Sequence, residues 1–322
     1  MGDILYTMLQ DAISPLTAAY VIAAIGLNIH FGFTGLLNMG QAGFMLMGAY
    51  GFAISTVEGA PLWLAVLIAL GAVTVFALLL GVPTLKLRGD YLAIVTISAA
   101  EIVRFVGRNS LLTEVTGGSG GIPGNDYRSS FTDLSPFGDG RTQIGPFDYL
   151  NSNWWLHLVA WAVVFACLGL VALLVRSPWG RLLRGVREDE DAMRSLGKNV
   201  YAVKMQALVL GGLFGAVGGI IYVLPSSVQP DGMGRQLTFF IWTALLLGGA
   251  AAIFGPLLGS ILFFAARALV QTGADTFVPS SIMSSAQTEQ FAWIVVGIAL
   301  MLLVIFRPQG VIGNKRELRF NA

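Results

Sequence analysis

Long apolar runs separated by short polar breaks dominate this chain. A membrane-crossing helix needs about 20 apolar residues to traverse the hydrocarbon layer. Runs of that kind cover Ile13–Phe31, Leu36–Thr56, Leu62–Val82, Tyr91–Val106, Trp155–Val175, Met205–Leu224 and Gln290–Phe306. One further stretch, Phe239–Val270, is interrupted by Gly255 and Pro256. As a single helix it would measure about 45–50 Å, too long for the bilayer. The pattern therefore predicts two short helices meeting near Phe254–Pro256. The expected fold is all-α and polytopic: a single membrane domain with about nine transmembrane or re-entrant helices.

The polar breaks set the orientation. Positive residues resist translocation, so loops rich in them face the cytoplasm. The segment Ser177–Lys204 carries Arg181, Arg184, Arg187, Arg194, Lys198 and Lys204 beside the acidic block Glu188, Asp189, Glu190 and Asp191. The loop Pro83–Asp90 holds Lys86 and Arg88, and the C-terminal region holds Arg307, Lys315, Arg316 and Arg319. All three are expected on the cytoplasmic side. An even number of crossings must then separate Lys204 from Arg307, so the stretch broken at Gly255-Pro256 either crosses twice or re-enters from one side. Counting backwards puts the start of the chain outside; with Asp3 and Asp11 and no Lys or Arg, it lacks the basic region of a cleaved signal peptide. Gly107–Trp154 falls on the outer face and, rich in Gly and Pro, reads as turns rather than a domain.

Composition narrows the function. Of 322 residues, 55% are hydrophobic and 11% charged, whereas a soluble domain carries about 25% charged residues. The lipid bilayer is therefore the expected solvent. A formal net charge of +1 offers nothing for nucleic acid. The lone Cys167 has no partner for a disulfide within the chain, and His30 and His157 lack neighbours at metal-ligand spacing. Gly117–Gly121 is not followed by Gly-Lys-Ser/Thr, and Gly197-Lys198 runs into Asn199, so the phosphate-binding loop motif is missing. Without a long soluble segment, energy and solute capture are expected to come from other polypeptides.

Four constellations remain. Glu190 to Gly197 reads as a short helix, with acid where the N-terminal dipole favours it and Gly197 placed to cap the other end. Ala192 and Leu196, four apart, would form an apolar ridge. That element is either a docking knob for a motor subunit or a plain amphipathic connector. Asn38 and Gln41, three apart, share a helix face and either glue the bundle or line a polar path. Glu101 and Arg104 can pair at i,i+3 inside a span; they either serve substrate passage or neutralise each other, with Arg104 snorkelling outward. Gly211, Gly215 and Gly219 form a small-residue ridge for close packing, within the chain or against a second subunit.

Asp191-Ala192-Met193 followed by Gly197 resembles the acidic-Ala-Ala-x-x-x-Gly coupling loop of ABC import permeases. Met193 stands in place of the second alanine, and the apolar-Pro step after the glycine is missing. The stretch from Ser195 through Lys204, the segment Gly35–Phe44, the segment Leu87–Thr96 and Arg307-Pro308-Gln309-Gly310-Val311 together resemble the branched-chain amino acid permease family in its LivM-like branch, in the family's order and over nearly the whole chain. The resemblance implies a non-enzymatic permease subunit in a bacterial inner membrane, working by alternating access. Its implied partners are a second, LivH-like permease subunit, two cytoplasmic ABC ATPases and a periplasmic solute-binding protein. ATP and Mg would be bound by the ATPases, with no cofactor in this chain. The coupling loop would comprise Glu188, Glu190, Asp191, Ala192, Leu196 and Gly197, and the path would include Asn38, Gln41 and Glu101. Branched-chain amino acids are the implied substrate, with urea or short amides as the alternative within the family. A stand-alone secondary transporter is the alternative outside it: the Gly255-Pro256 break suits one, but acids are scarce in the spans.

Overall fold

The computed structural model describes residues 2–85, 89–138, 140–144, 147–277, 284–306 and 309–313. Lys86, Arg88, Arg307, Lys315, Arg316 and Arg319, which orient the chain in the sequence, lie outside the described residues. Helix α1 (Gly2–Ala12) leads into α2 (Pro15–Leu27), where Pro15 occupies the first turn and Ser14 Oγ accepts from Thr17 N at 3.2 Å. Every residue of α2 except Leu16 is buried, which marks it as the central mast of the bundle. A π-helical turn, Asn28–Phe33, continues it. After it come α3 (Gln41–Val57), α4 (Leu62–Thr84) and α5 (Gly89–Arg108).

The outer loop contains α6 (Thr113–Thr116), α7 (Gly124–Thr132) and a two-stranded antiparallel ribbon, β1 (Arg141–Ile144) with β2 (Phe147–Leu150), registered from Arg141 opposite Leu150 to Ile144 opposite Phe147. The expected loop of turns thus has ordered pieces of its own. It seals one end of the bundle: Tyr127 is fully buried, and its hydroxyl donates to Val223 O at 2.8 Å. The chain continues through α8 (Asn151–Arg176), α9 (Pro178–Glu188), α10 (Glu190–Ser195), α11 (Val200–Val223), α12 (Arg235–Gly248), α13 (Gly255–Phe277) and α14 (Ser285–Phe306).

Helices at the periphery declare themselves by one-sided burial. In α4 the buried residues Ala65, Ala69, Val73, Ala77 and Leu80 recur every three or four positions, while Leu67, Val75, Leu79 and Val82 are exposed. α8 repeats the arrangement, burying Leu156, Ala160, Val164, Leu168, Val171 and Val175 and exposing Leu158, Phe165, Leu170 and Leu173. An exposed stripe this apolar belongs in hydrocarbon.

Each apolar run of the sequence holds a helix, but among the described residues five are long and apolar enough to cross a membrane. They are Pro15–Phe33, Leu62–Thr84, Asn151–Arg176, Val200–Val223 and Gly255–Thr276. Helix α3 has 17 residues and α12 has 14, giving about 25 and 21 Å. Helix α5 carries Asp90, Glu101, Arg104 and Arg108. The expected break near Gly255-Pro256 is there: α12 and α13 pack as an antiparallel hairpin joined through residues 249–254. The expected helix from Leu36 does not start until Gln41; residues 35–40 are non-helical and their polar groups are met inside the bundle.

The two ends of the bundle are distinct. At one, the Ser177–Lys204 segment meets the π turn through Arg187 and Gly32, the π turn meets the α12–α13 loop, and Val311 N and Ile312 N donate to Leu247 O and Gly248 O, each at 3.0 Å. The basic loop and the residues just past Arg307 therefore share an end, as the charge pattern requires. The opposite end carries the outer loop, paired to the chain after α11 through Ile122 and Val228.

Candidate functional site

At the basic end, α9 and α10 form a compact helical hairpin. Ser177 caps α9, and Leu183 and Val186 bury its inner face. Asp189 ends α9 and starts α10: its Oδ1 accepts from Asp191 N and Ala192 N, both at 2.9 Å. The acidic block thus contains a structural N-cap. At the other end of α10, Gly197 N donates to Arg194 O at 2.9 Å and Lys198 N to Met193 O at 3.1 Å. With φ +73° at Gly197, this is a Schellman cap, the role its position in the sequence suggested. Met193, in the place of the pattern's alanine, packs its sulfur against Gly185 of α9 and locks the two helices together.

What this hairpin shows to solvent is an apolar tip in a charged setting. Leu196 is 71% exposed, and Ala192 is exposed one turn before it. Arg194 pairs with Asp191 at 2.6 Å and Glu190 at 3.2 Å, contacts worth about 0–1 kcal/mol each at such exposure. Glu190 also receives Lys204. Lys204 is thereby turned inward and buried, and does not belong to the hairpin's exposed face. Glu188, on the last turn of α9, is exposed.

The hairpin is tied to the membrane core by a residue the sequence reading did not single out. Arg187 Nη1 donates to Gly32 O of the π turn. Gly32 is forced to be small, since a Cβ there would lie 2.0 Å from Asn28 Oδ1. Asn28 in turn bridges to the α12–α13 loop: its Oδ1 accepts from Ala251 N at 2.8 Å and its Nδ2 donates to Ala252 O at 2.9 Å. Ala251 is held at φ +65°, a conformation costly for a residue with a side chain. Asn28 was legible as a polar residue in an apolar run; the role of Arg187 depends on a contact no local pattern encodes.

Asn38 and Gln41 come together, as expected, but deep inside one chain. Both are 0% exposed. Asn38 Nδ2 donates to Gln41 Oε1 at 3.1 Å and to His30 Nδ1 at 2.9 Å, while Gln41 Nε2 donates to Ala23 O and Gly211 O at 3.1 and 3.3 Å. With Nδ1 accepting, the His30 ring carries its proton on Nε2 and donates to Leu208 O at 3.0 Å. Trp242 Nε1 reaches Asn38 O at 3.0 Å, Thr96 Oγ1 accepts from Met39 N, and Thr238 Oγ1 accepts from Ala42 N. This saturated node supports residues 34–40; in this conformation neither Asn38 nor Gln41 lines an open path. His30, read in the sequence only as a poor metal ligand, is a central member.

Glu101 lies far from that node, at the outer end. Arg104 donates to its Oε2 through Nε and Nη2 at 2.9 and 2.7 Å, and Arg104 Nη1 reaches Asp231 at 2.7 Å. Arg108 and Arg235 complete the network, at 3.1 Å from Asp231 and 3.5 Å from Glu101. The network ties α5 to the turn preceding α12. The glycine ridge packs within the chain: a Cβ on Gly211 would lie 2.2 Å from His30 Nε2, one on Gly219 2.1 Å from Met45 O, and one on Gly215 2.9 Å from Gln41 Nε2.

A bundle with lipid-facing stripes, a polar-stitched broken segment and an exposed, capped helical hairpin is that of a multi-pass membrane protein. The family model described as branched-chain amino acid transport system / permease component matches residues 11–307, and the chain belongs to that family. It is 31% identical over 320 residues to the high-affinity branched-chain amino acid transport system permease protein LivM of Escherichia coli K12, covering 94% of this chain and 70% of that protein. Similarity extends to the probable LivM of Methanocaldococcus jannaschii, at 24% identity with 92% and 91% coverage. The guanosine ABC transporter permease protein NupQ of Bacillus subtilis is 24% identical, with 78% and 83% coverage.

Proposed function

We propose that this chain is one membrane-spanning subunit of an ATP-driven importer of branched-chain amino acids, seated in the cell's inner membrane. A second permease subunit completes the path, a solute-binding protein delivers substrate at the outer end, and two ATPases, which bind ATP and Mg, dock at the α9–α10 hairpin. The observation that carries this reading is the hairpin itself: a rigidly capped pair of helices presenting exposed Leu196 and Ala192 at the basic end. An apolar knob with a charged rim is the usual anatomy of a docking surface.

Mechanistically, force applied at α10 would reach the core through Arg187 and Gly32, and from there the α12–α13 loop through Asn28. The π turn and that loop are irregular backbone segments at this end, the sort of place where a helix can change angle. Alternating access then consists of ATPase closure pushing the hairpin and tilting the helices attached to it. The LivM relatives favour branched-chain amino acids as cargo.

Co-expression with candidate ATPases tests the reading. Asp191→Lys and Leu196→Asp should release the ATPases while the permease subunit still purifies, and reconstituted complex should accumulate labelled leucine only with ATP. Solute movement by this chain alone, without ATP, would overturn the reading. Uptake of guanosine but not leucine would keep the importer and change its cargo.

A further inference from the structure

Near the outer end, α2, α11, α12, α13 and α14 line a half-open cavity of about 240 Å³. Its walls are aromatic: Phe240, Phe264 and Trp293, with the hydroxyl-bearing Tyr20 and Tyr222. Arg267 of α13 projects into this wall, with its guanidinium 5.1 Å from the Trp293 ring centre and 6.0 Å from that of Phe264. Stacking of this kind fixes the plane of the guanidinium. Asp231 and Gln236 stand among the polar lining residues.

Three features show that this cationic centre is incompletely matched. Its carboxylate partners are loose, Asp11 at 3.3 Å and Glu289 at 4.0 Å. Burial holds the Asp11 carboxyl above its ordinary range, and attraction to Arg267 only partly offsets that. Arg267 Nε is buried with no hydrogen-bond partner among the described residues, and Tyr20 and Tyr222 line the same cavity. A guanidinium and two phenols lining one space supply the kind of donor set that a carboxylate satisfies. Aromatic walls beside it suit an aliphatic chain, and the volume suits one small solute.

We propose that this cavity is a binding site for an aliphatic amino acid, its carboxylate on Arg267 and the hydroxyls of Tyr20 and Tyr222, its side chain against Phe240, Phe264 and Trp293, and its ammonium toward Asp231 and Gln236. The proposal rests on the importer reading and adds a substrate site on this chain itself, distinct from whatever a separate capture protein binds. Asp11 and Glu289 hold the guanidinium in this conformation and would yield to an incoming carboxylate.

The test uses the assembled importer in lipid nanodiscs without the solute-binding protein, with L-leucine and L-leucinamide as probes. Leucinamide keeps the side chain and ammonium but lacks the carboxylate. Wild-type complex should bind leucine at least about tenfold more tightly than leucinamide, a preference that Arg267→Gln abolishes and Tyr222→Phe reduces. Asp11→Asn, which breaks the ion pair without altering the cavity, should keep the preference. Equal loss in Asp11→Asn and Arg267→Gln, with the preference gone in both, would make Arg267 a structural clamp and overturn the proposal. Should Arg267→Gln fail to assemble, Tyr222→Phe with the same pair decides: an unchanged preference counts against the site. ATP-driven leucine uptake by the wild type, combined with no discrimination in binding, sinks the site and spares the importer reading. A wild type that imports no aliphatic amino acid sinks both.

Discussion

Arg187 donates a hydrogen bond to the carbonyl of Gly32 across 155 residues of sequence. It is a side-chain link between the exposed hairpin and the π turn of the central mast. Replacing Arg187 with Ala should leave the hairpin's own caps intact, so ATPases should still co-purify. The buried carbonyl loses its partner, at a cost of about 1–3 kcal/mol. Leucine uptake should fall by about tenfold or more per ATP hydrolysed, a 1.4 kcal/mol effect at minimum. Paired measurement of uptake and ATPase rate in proteoliposomes reads this uncoupling; proportional loss of both would contradict it.

Leu196→Asp should behave in the opposite way. The side chain is 71% exposed and touches no core, so the melting temperature of the isolated subunit should stay within the range of surface changes, about ±0.5 kcal/mol. Affinity for the ATPases should drop about tenfold or more if Leu196 is the apolar anchor. Pull-down titration beside a thermal melt separates the two effects.

Gly211→Ala places a methyl group 2.2 Å from His30 Nε2 and 2.6 Å from Gly26 O. Overpacking of that severity costs about 1–3 kcal/mol and opens the His30–Leu208 hydrogen bond. Gly71→Ala is the matched control, because nothing lies within 4 Å of its added Cβ. It should be neutral or stabilising by up to about 1 kcal/mol through helix propensity. Thermal melts in one detergent compare them directly.

Asn28→Leu keeps bulk but removes both hydrogen bonds to the α12–α13 loop, at 2.8 and 2.9 Å. Each orphaned backbone group costs about 1–3 kcal/mol. Hydrogen exchange at residues 249–254 should accelerate well before global unfolding. An unchanged local exchange rate would mean that the loop is held from elsewhere.

The order of the long apolar helices was legible because apolar runs and their Gly, Pro and charged punctuation are local properties. The break between α12 and α13 could be read from one dipeptide and a length limit, and the C-terminal cap of α10 from Gly197 in place, while the N-cap at Asp189 was not picked out of the acidic block. Residues 36–40 were misread as helix for an equally physical reason. Their composition is apolar enough to span, and only the distant side chains of Thr96, Thr238, His30 and Trp242 make a non-helical course tolerable there. Glu101 was legible as half of a pair with Arg104, but not as part of a five-residue network, because Asp231 reaches it by tertiary folding. Arg267 drew no notice in the sequence: a single arginine in an apolar run acquires meaning only when five helices close around it.

The node around Asn38 has a mechanical corollary. Its donors and acceptors are shared out among the mast, α3, α5, α11 and α12, so sliding any one of these past another would strand a polar atom in oil. Those helices are therefore expected to travel as a single keel, leaving bending during a transport cycle to the irregular backbone at its basic end and to the elements hung on its outside.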